Sequence, residues 1–516
     1  MLYPIGIQNF SDLRQGGYVY VDKTHLIHSL YRNGKYYFLS RPRRFGKSLL
    51  ISTMQAFFEG KKELFKGLAI EELEKEWKEF PVLRIDFTGK KYSSIEDLYS
   101  MLDKHLGAFE AQYGIKQRYP SMDLRFQTII EAAYRCTGRQ VVILIDEYDK
   151  PIVDNIGNDE LVSTFRKDLQ GFYSVLKAED EFVRFGFLTG VTKIGKVSVF
   201  SGLNNLNDIS MDARYYDICG ISEAELKSYF DTSVEQLAAA NGCAKDECYR
   251  KLARMYDGYH FHRRVPGIYN PFSLLNTFQK MEFSEYWFET GTPSFLAEVM
   301  QNTGYDVTRL SHEQADSTLL TDIDTVFLNP IPLLYQSGYL TITGYDDLSG
   351  IYTLGFPNIE VKHGFLTYLL NYYTTAQKGT GNLLIRQMGV DLRTGRPDDF
   401  MKRMEAFFAR QNYQIQADEE KDFQYAMSII LQLLGEYFTV RTEDASSSGR
   451  SDISIETPDY VYIIEIKKDE SADAALSQIV EKAYDRRYAD DSRKVFKIGI
   501  SFSTRFRGIE EWKVAD

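Results

Sequence analysis

Ser40-Arg-Pro-Arg-Arg-Phe-Gly46-Lys47-Ser48 decides the reading of this chain, because of what stands on either side of it. Tyr36-Tyr-Phe-Leu-Ser40 has the aromatic, apolar make-up of a strand, and Ser48 to Phe58 reads as a helix. A Gly-Lys-Ser turn between a strand and a helix is the context of a phosphate-binding loop. Backbone N–H groups in the turn and at the helix N-terminus aim at phosphate oxygens, and the helix dipole adds to the attraction. In that reading Lys47 reaches the β- and γ-phosphates of ATP, Ser48 binds Mg²⁺, and Arg44, Phe45 and Gly46 belong to the same cradle. The general pattern GxxxxGK[ST] has glycine where this chain has Arg41. Arg41, Arg43 and Arg44 bring positive charge into or beside the loop. Alone, the stretch could equally be a helix start on a basic surface.

A second stretch breaks the tie. Val141-Val-Ile-Leu-Ile-Asp146-Glu147 is an apolar run that ends in two carboxylates. It reads as a strand buried on both faces, with Asp146 placed to hold Mg²⁺ and Glu147 to orient or deprotonate an attacking water. Thr189-Gly-Val-Thr192-Lys193, at the end of another strand-like run, is a candidate γ-phosphate sensor. Arg166 and Arg214 are candidate arginine fingers, although nothing in their spacing singles them out.

Around these motifs, residues 1–215 alternate strand and helix, as expected of a P-loop NTPase with a parallel sheet. From 216 the pattern turns helical, opened by the capping signal Ser222-Glu-Ala-Glu225. A helix-like Pro332–Gly338 followed by strands Tyr339–Thr343 and Ile351–Leu354 is similar to a winged-helix unit. Residues 378–397 read as a linker. Beyond them, two helices, a hairpin and a final helix suggest an α/β C-terminal domain. The expected domains are 1–215, 216–377 and 390–516.

The C-terminal hairpin carries the second constellation: Asp452 on its first arm, then Glu465-Ile-Lys467 on the return. Side chains alternate along a strand, so Glu465 and Lys467 share a face. Asp452 and Glu465 could share Mg²⁺, with Lys467 activating the water that attacks a phosphodiester. A solvated hairpin with paired charges, or a nuclease fold retained only for binding, fits the same residues.

The chain resembles the bacterial AAA-ATPase-like proteins that carry a C-terminal nuclease-superfamily domain. The resemblance lies in Pro4–Phe10, Tyr20–Thr24, Arg41–Ser48, Ile145-Asp-Glu-Tyr-Asp-Lys-Pro151, Thr189–Lys193, Gly202–Asn205, Tyr256-Asp-Gly-Tyr259, Tyr269–Phe272 and Thr290–Pro293. It implies that Arg41 is a family trait and that the ATPase roles fall on Lys47, Ser48, Asp146 and Glu147. For the tail it implies a PD-(D/E)xK core of restriction-endonuclease-like fold, built on Asp452, Glu465 and Lys467. Glu419 or Glu420 would lie on its preceding helix, and Gln478 is similar to a supporting glutamine of the RecB-like branch. Two functions stay open: an ATPase coupled to a Mg²⁺-dependent nuclease acting on DNA or RNA, or a nucleotide-sensing scaffold whose tail binds without cutting.

Composition narrows the partners. The 516 residues hold 61 Lys and Arg against 73 Asp and Glu, a net charge of −12, which argues against coating nucleic acid by bulk charge. Residues 1–70 nevertheless carry a local excess of +7, leaving −19 to the remainder. Arg493 to Arg507 is a basic stretch that could touch phosphates or merely be an exposed strand. No apolar run approaches a membrane span and no secretory leader opens the sequence, so a cytoplasmic protein without membrane contact is expected. A homo-oligomer is compatible with this reading. The four cysteines form no disulfide framework, and the pairs His25/His28 and His260/His262 lack the partners of a metal set.

Overall fold

The computed structural model describes residues 1–193, 205–289, 305–321, 329–373, 380–409, 419–435, 437–442, 453–489, 491–503 and 508–516, with a few single positions between them. The chain forms two compact units, 1–305 with 310–361, and 306–309 with 362–516.

The first unit is built on β1 (Tyr36–Ser40), β2 (Val82–Asp86), β3 (Val141–Asp146), β4 (Val183–Gly190) and β5 (Asn207–Asp208), all parallel, in the order β2-β3-β4-β1-β5. Every residue of β1 and β3 is buried, which is why their sequences run apolar without alternation. Helices Lys47–Phe58, Ile95–Gln112 and Met122–Thr137 pack against the sheet. Parallel strands all deliver their C-terminal ends to one edge, the edge where open α/β sheets bind ligands. β4 stands between β1 and β3, so the loop after β1 and the acidic end of β3 both flank the end of β4.

Three helices, Glu223–Ala240, Lys245–Tyr256 and Pro271–Lys280, follow. Leu226, Phe230, Val234, Leu252, Leu274 and Phe278 form their shared core, and Tyr3, Val19 and Val21 pack against it from the start of the chain. The Ser222 cap is present as read, with Ser222 and Glu225 exchanging bonds in a capping box. Helix Ile331–Gln336 then leads into β7 (Thr341–Asp346) and β8 (Ile351–Gly355), and β6 (Glu313–Ala315) adds to β8, completing the helix-then-wing arrangement.

In the second unit β9 (Thr439–Thr442), β10 (Ile453–Glu456), β11 (Tyr460–Lys468), β12 (Lys494–Ser503) and β13 (Gly508–Ala515) form one mixed sheet, with β11 and β12 parallel and the other neighbours antiparallel. Two expectations fail here. The presumed linker contains a helix, Thr380–Arg393, which buries Ile385, Met388 and Leu392 at helical spacing; two glycines and polar neighbours obscured that periodicity. The chain also does not end on a helix. After helix Ala472–Glu481 it adds β12 and β13.

Candidate functional site

Gly46 has φ +93° and stands just before helix Lys47–Phe58, a left-handed position where a side chain would be strained. Among the described residues, the N–H groups of Gly46, Lys47, Ser48 and Leu49 meet no protein acceptor. These are the orphan donors of a helix start, and there is no acid in the first turn to occupy them. The Lys47 ammonium is buried and donates to the carbonyls of Arg41 (2.9 Å) and Pro42 (3.1 Å). It therefore lies along the inside of the loop rather than in solvent.

Arg41 directs its guanidinium to backbone carbonyls. Its side chain is only 1% exposed; its guanidinium donates to the carbonyls of Ser40 (2.9 Å), Ser210 (2.8 Å), Tyr215 (3.2 Å) and Tyr216 (3.4 Å), and it lies 3.9 Å over the Phe261 ring. Burial lowers its pKa to about 10. Phe45 is likewise buried, edge-on to Tyr259 at 4.8 Å and to Phe261 at 5.6 Å, so its ring anchors the loop from behind. Arg44 is exposed, with its guanidinium 4.8 Å from the centre of the Phe272 ring.

On the far side of β4, Asp146 is fully buried. Thr189 donates to its Oδ1 at 2.6 Å, while its Oδ2 is buried with no hydrogen-bond donor. A buried carboxylate oxygen without a donor suits a hard cation. Glu147 follows at φ +51°, a left-handed position uncommon for a glutamate. Burial pushes its carboxyl above the usual range, and the positive charge of Lys47 pulls it back.

Asp149, which had no role in the expectations, ties the turn after β3 to the end of β4. It is buried and accepts from the N–H groups of Val191 (3.1 Å) and Thr192 (2.6 Å) and from the Thr192 hydroxyl (2.7 Å). Burial raises its pKa against those donors. The signal was available, since Asp149 is part of the quoted Asp-Glu-Tyr-Asp run and Thr192 of the sensor run. Lys193 pairs with Asp208 at 2.9 Å, and the candidate finger Arg214 pairs with Asp212 at 2.6 Å.

Beside Gly46 opens a cavity of about 100 Å³, walled by Val19, Val21, Leu49, Cys219, Ile221 and Leu275 and largely apolar. It joins the start of the chain, the loop helix and the helical region.

In the second unit, Glu465 and Lys467 project to one face of β11 and meet at Gln478. Gln478 Nε2 donates to Glu465 Oε1 at 2.6 Å, and its Oε1 accepts from the Lys467 ammonium. All three are buried. Asp452 lies outside the described residues, next in sequence to Ile453, which pairs with Ile464 beside Glu465. Helix Glu419–Leu434 is present, but the side chains of Glu419 and Glu420 lie outside the described residues, as do Gly202–Asn204 and Thr290–Pro293. Among the described residues no three His, Cys, Asp or Glu side chains form a metal cluster. The basic stretch at 493 is committed to ion pairs: Arg493 with Asp491 (2.6 Å) and Glu456 (3.0 Å), Lys494 with Asp516 (2.9 Å), and Lys497 with Asp485 (2.7 Å).

Sheet order, open loop and acidic strand end define a nucleotide-binding class of α/β protein, joined here to a nuclease-like domain. Residues 4–200 match the family described as Predicted AAA-ATPase, and residues 418–512 match the PD-(D/E)XK nuclease superfamily. The chain is 36% identical over 518 residues to an "Uncharacterized protein in vnfD 5'region" of Azotobacter chroococcum mcd 1, covering 98% of this chain and 97% of that protein. The chain belongs to this AAA-ATPase-like family with a C-terminal nuclease-superfamily domain. No helix among the described residues is long and apolar enough to cross a membrane.

Proposed function

We propose that the first unit binds and hydrolyses ATP with Mg²⁺, and that this switch is coupled to a nuclease-like domain acting on DNA or RNA. The observation that carries the reading is the pairing of four open N–H groups at Gly46–Leu49 with the buried, partnerless Oδ2 of Asp146. The N–H groups cradle phosphate oxygens, Lys47 neutralises them, and Ser48 with Asp146 holds the cation. Mg²⁺, when bound, offsets charge on the phosphoryl oxygens. Glu147, its basicity raised by burial, positions and deprotonates the attacking water. The apolar cavity beside Gly46 takes the base. In the tail, Glu465 and Asp452 hold Mg²⁺, and Lys467, aligned by Gln478, activates water against a phosphodiester.

Replacing Lys47 with Ala should lower Mg²⁺-dependent ATP turnover by about 100-fold or more, since a buried charge contact to the transferred group is lost. Phosphate release from the purified full chain measures this. Equal turnover in the wild type and the variant would overturn the ATPase assignment.

A further inference from the structure

The phosphate loop has an outer side as well as an inner one, and Trp287 holds it. The Trp287 indole is 6% exposed, and its Nε1 donates to the Arg43 carbonyl at 3.0 Å. Arg44, the next residue, has φ +67°. A non-glycine residue reaches that left-handed conformation only when its surroundings hold it there, at a cost of about 1–3 kcal/mol. A trans peptide is planar, so the Arg43 C=O and the Arg44 N–H are fixed in opposite directions on one rigid unit. Whatever fixes the carbonyl on the outer side also fixes the N–H on the other.

Trp287 is itself held. Its backbone N–H donates to Glu360 Oε1 at 2.7 Å, and its ring packs against Tyr339 with centroids 5.3 Å apart. Glu360 is fully buried and accepts from the Ser273 hydroxyl at 2.9 and 2.8 Å. A buried carboxylate is expensive unless its oxygens are satisfied, so these donors are strongly constrained in place. Glu360 lies in the first turn of helix Ile359–Tyr373, whose later residues belong to the second unit.

We propose that Trp287 is a positioning residue for nucleotide binding. It locks the Arg43–Arg44 peptide so that the Arg44 N–H is presented to phosphate, and through Glu360 it ties that peptide to the head of helix Ile359–Tyr373. The proposal rests on the reading that the loop binds ATP. Phosphate pulling on the Arg44 N–H polarises the same peptide and strengthens the bond from the indole, so loop occupancy is felt at Trp287.

Trp287→Phe keeps a ring and removes the donor. In the full chain, calorimetric affinity should fall about tenfold for Mg-ATP and equally for inorganic tripolyphosphate, because the defect is in the loop and not in the base cavity. A second measurement needs no variant. The chain has three tryptophans, so 5-fluorotryptophan labelling gives three assignable fluorine lines. The Trp287 line should shift on saturation with ATP and with tripolyphosphate. Affinities within twofold of wild type in a folded Trp287→Phe chain overturn the proposal; if that variant does not fold, an unmoved Trp287 line at saturating ATP does so. A wild-type chain that binds neither ligand overturns the ATP reading instead.

Discussion

At residue 41 an arginine replaces the glycine of the general phosphate-loop pattern, and the structure shows the substitution to be structural. The Arg41 guanidinium reaches four carbonyls, two of them on Tyr215 and Tyr216, so it stitches the loop to the segment after β5. Arg41→Gly would restore the general pattern while leaving buried acceptors without donors, at roughly 1–3 kcal/mol for each one that stays unsatisfied. It should therefore lower the thermal midpoint of the first unit by several degrees and leave nucleotide affinity no better than wild type. Calorimetric unfolding of the full chain, with and without Mg-ATP, checks both expectations. The sequence made the charge at Arg41 legible but not its direction, because a side chain's direction depends on carbonyls about 170 residues away. Gly46, Lys47 and Asp146 were legible because their geometry is local to one turn or one strand end. Asp149 and Thr192 stood in two quoted motifs but were not joined, and Trp287 was not legible at all: its partner, the Arg43 carbonyl, lies across a sequence gap that no local pattern encodes.

At the scale of elements, the buried strands β1 and β3 and the hairpin β10–β11 announced themselves by continuous apolar runs or strict alternation. Helix Thr380–Arg393 did not, since a Thr-Gly-Asn start and Gly389 dilute its apolar stripe. The contact between helix Ala472–Glu481 and the second sheet, which places Gln478 on Glu465 and Lys467, was indicated by the resemblance that made Gln478 a supporting glutamine and not by any local pattern. It depends on Gly499, which pairs in register with Glu465. A Cβ at Gly499 would lie 2.3 Å from the Ala472 carbonyl and 3.0 Å from Leu476. Gly499→Val should push the helix off the sheet, costing about 1–3 kcal/mol through overpacking. It should also separate Gln478 from both partners. Denaturant unfolding of the second unit measures the first effect, and unchanged ATP turnover in the same variant would show the damage to be local.

For the whole molecule, net charge is the coarsest observation and the easiest to misread. The local excess of +7 in residues 1–70 includes Arg41, whose guanidinium is held by backbone carbonyls, and Lys47, whose ammonium donates to carbonyls of its own loop. The remaining −19 is spread over residues 71–516 as a whole; in the second unit it is the ion pairing of Arg493, Lys494 and Lys497 that shortens the basic stretch among the described residues. If the proposed nuclease reading holds, the substrate is recognised through a few phosphates around Glu465 and Lys467. Binding strength then depends weakly on salt, because each neutralised phosphate contributes a log–log slope of about −0.7 to −0.9. Anisotropy titrations of labelled DNA and RNA between 50 and 200 mM salt, in Ca²⁺ to prevent turnover, should give slopes of roughly −1 to −3. A slope near −6 would reveal an extended basic surface and overturn the local-site argument. With Mg²⁺ in place of Ca²⁺, Lys467→Ala should lose about 100-fold or more in cleavage while its binding slope moves by no more than about one. Binding with the predicted slope but no cleavage by the wild-type chain, in Mg²⁺ or Mn²⁺ and with or without ATP, would make the second unit a nucleic-acid reader. Cleavage that survives Lys467→Ala would move the chemistry away from the Glu465–Gln478–Lys467 cluster altogether.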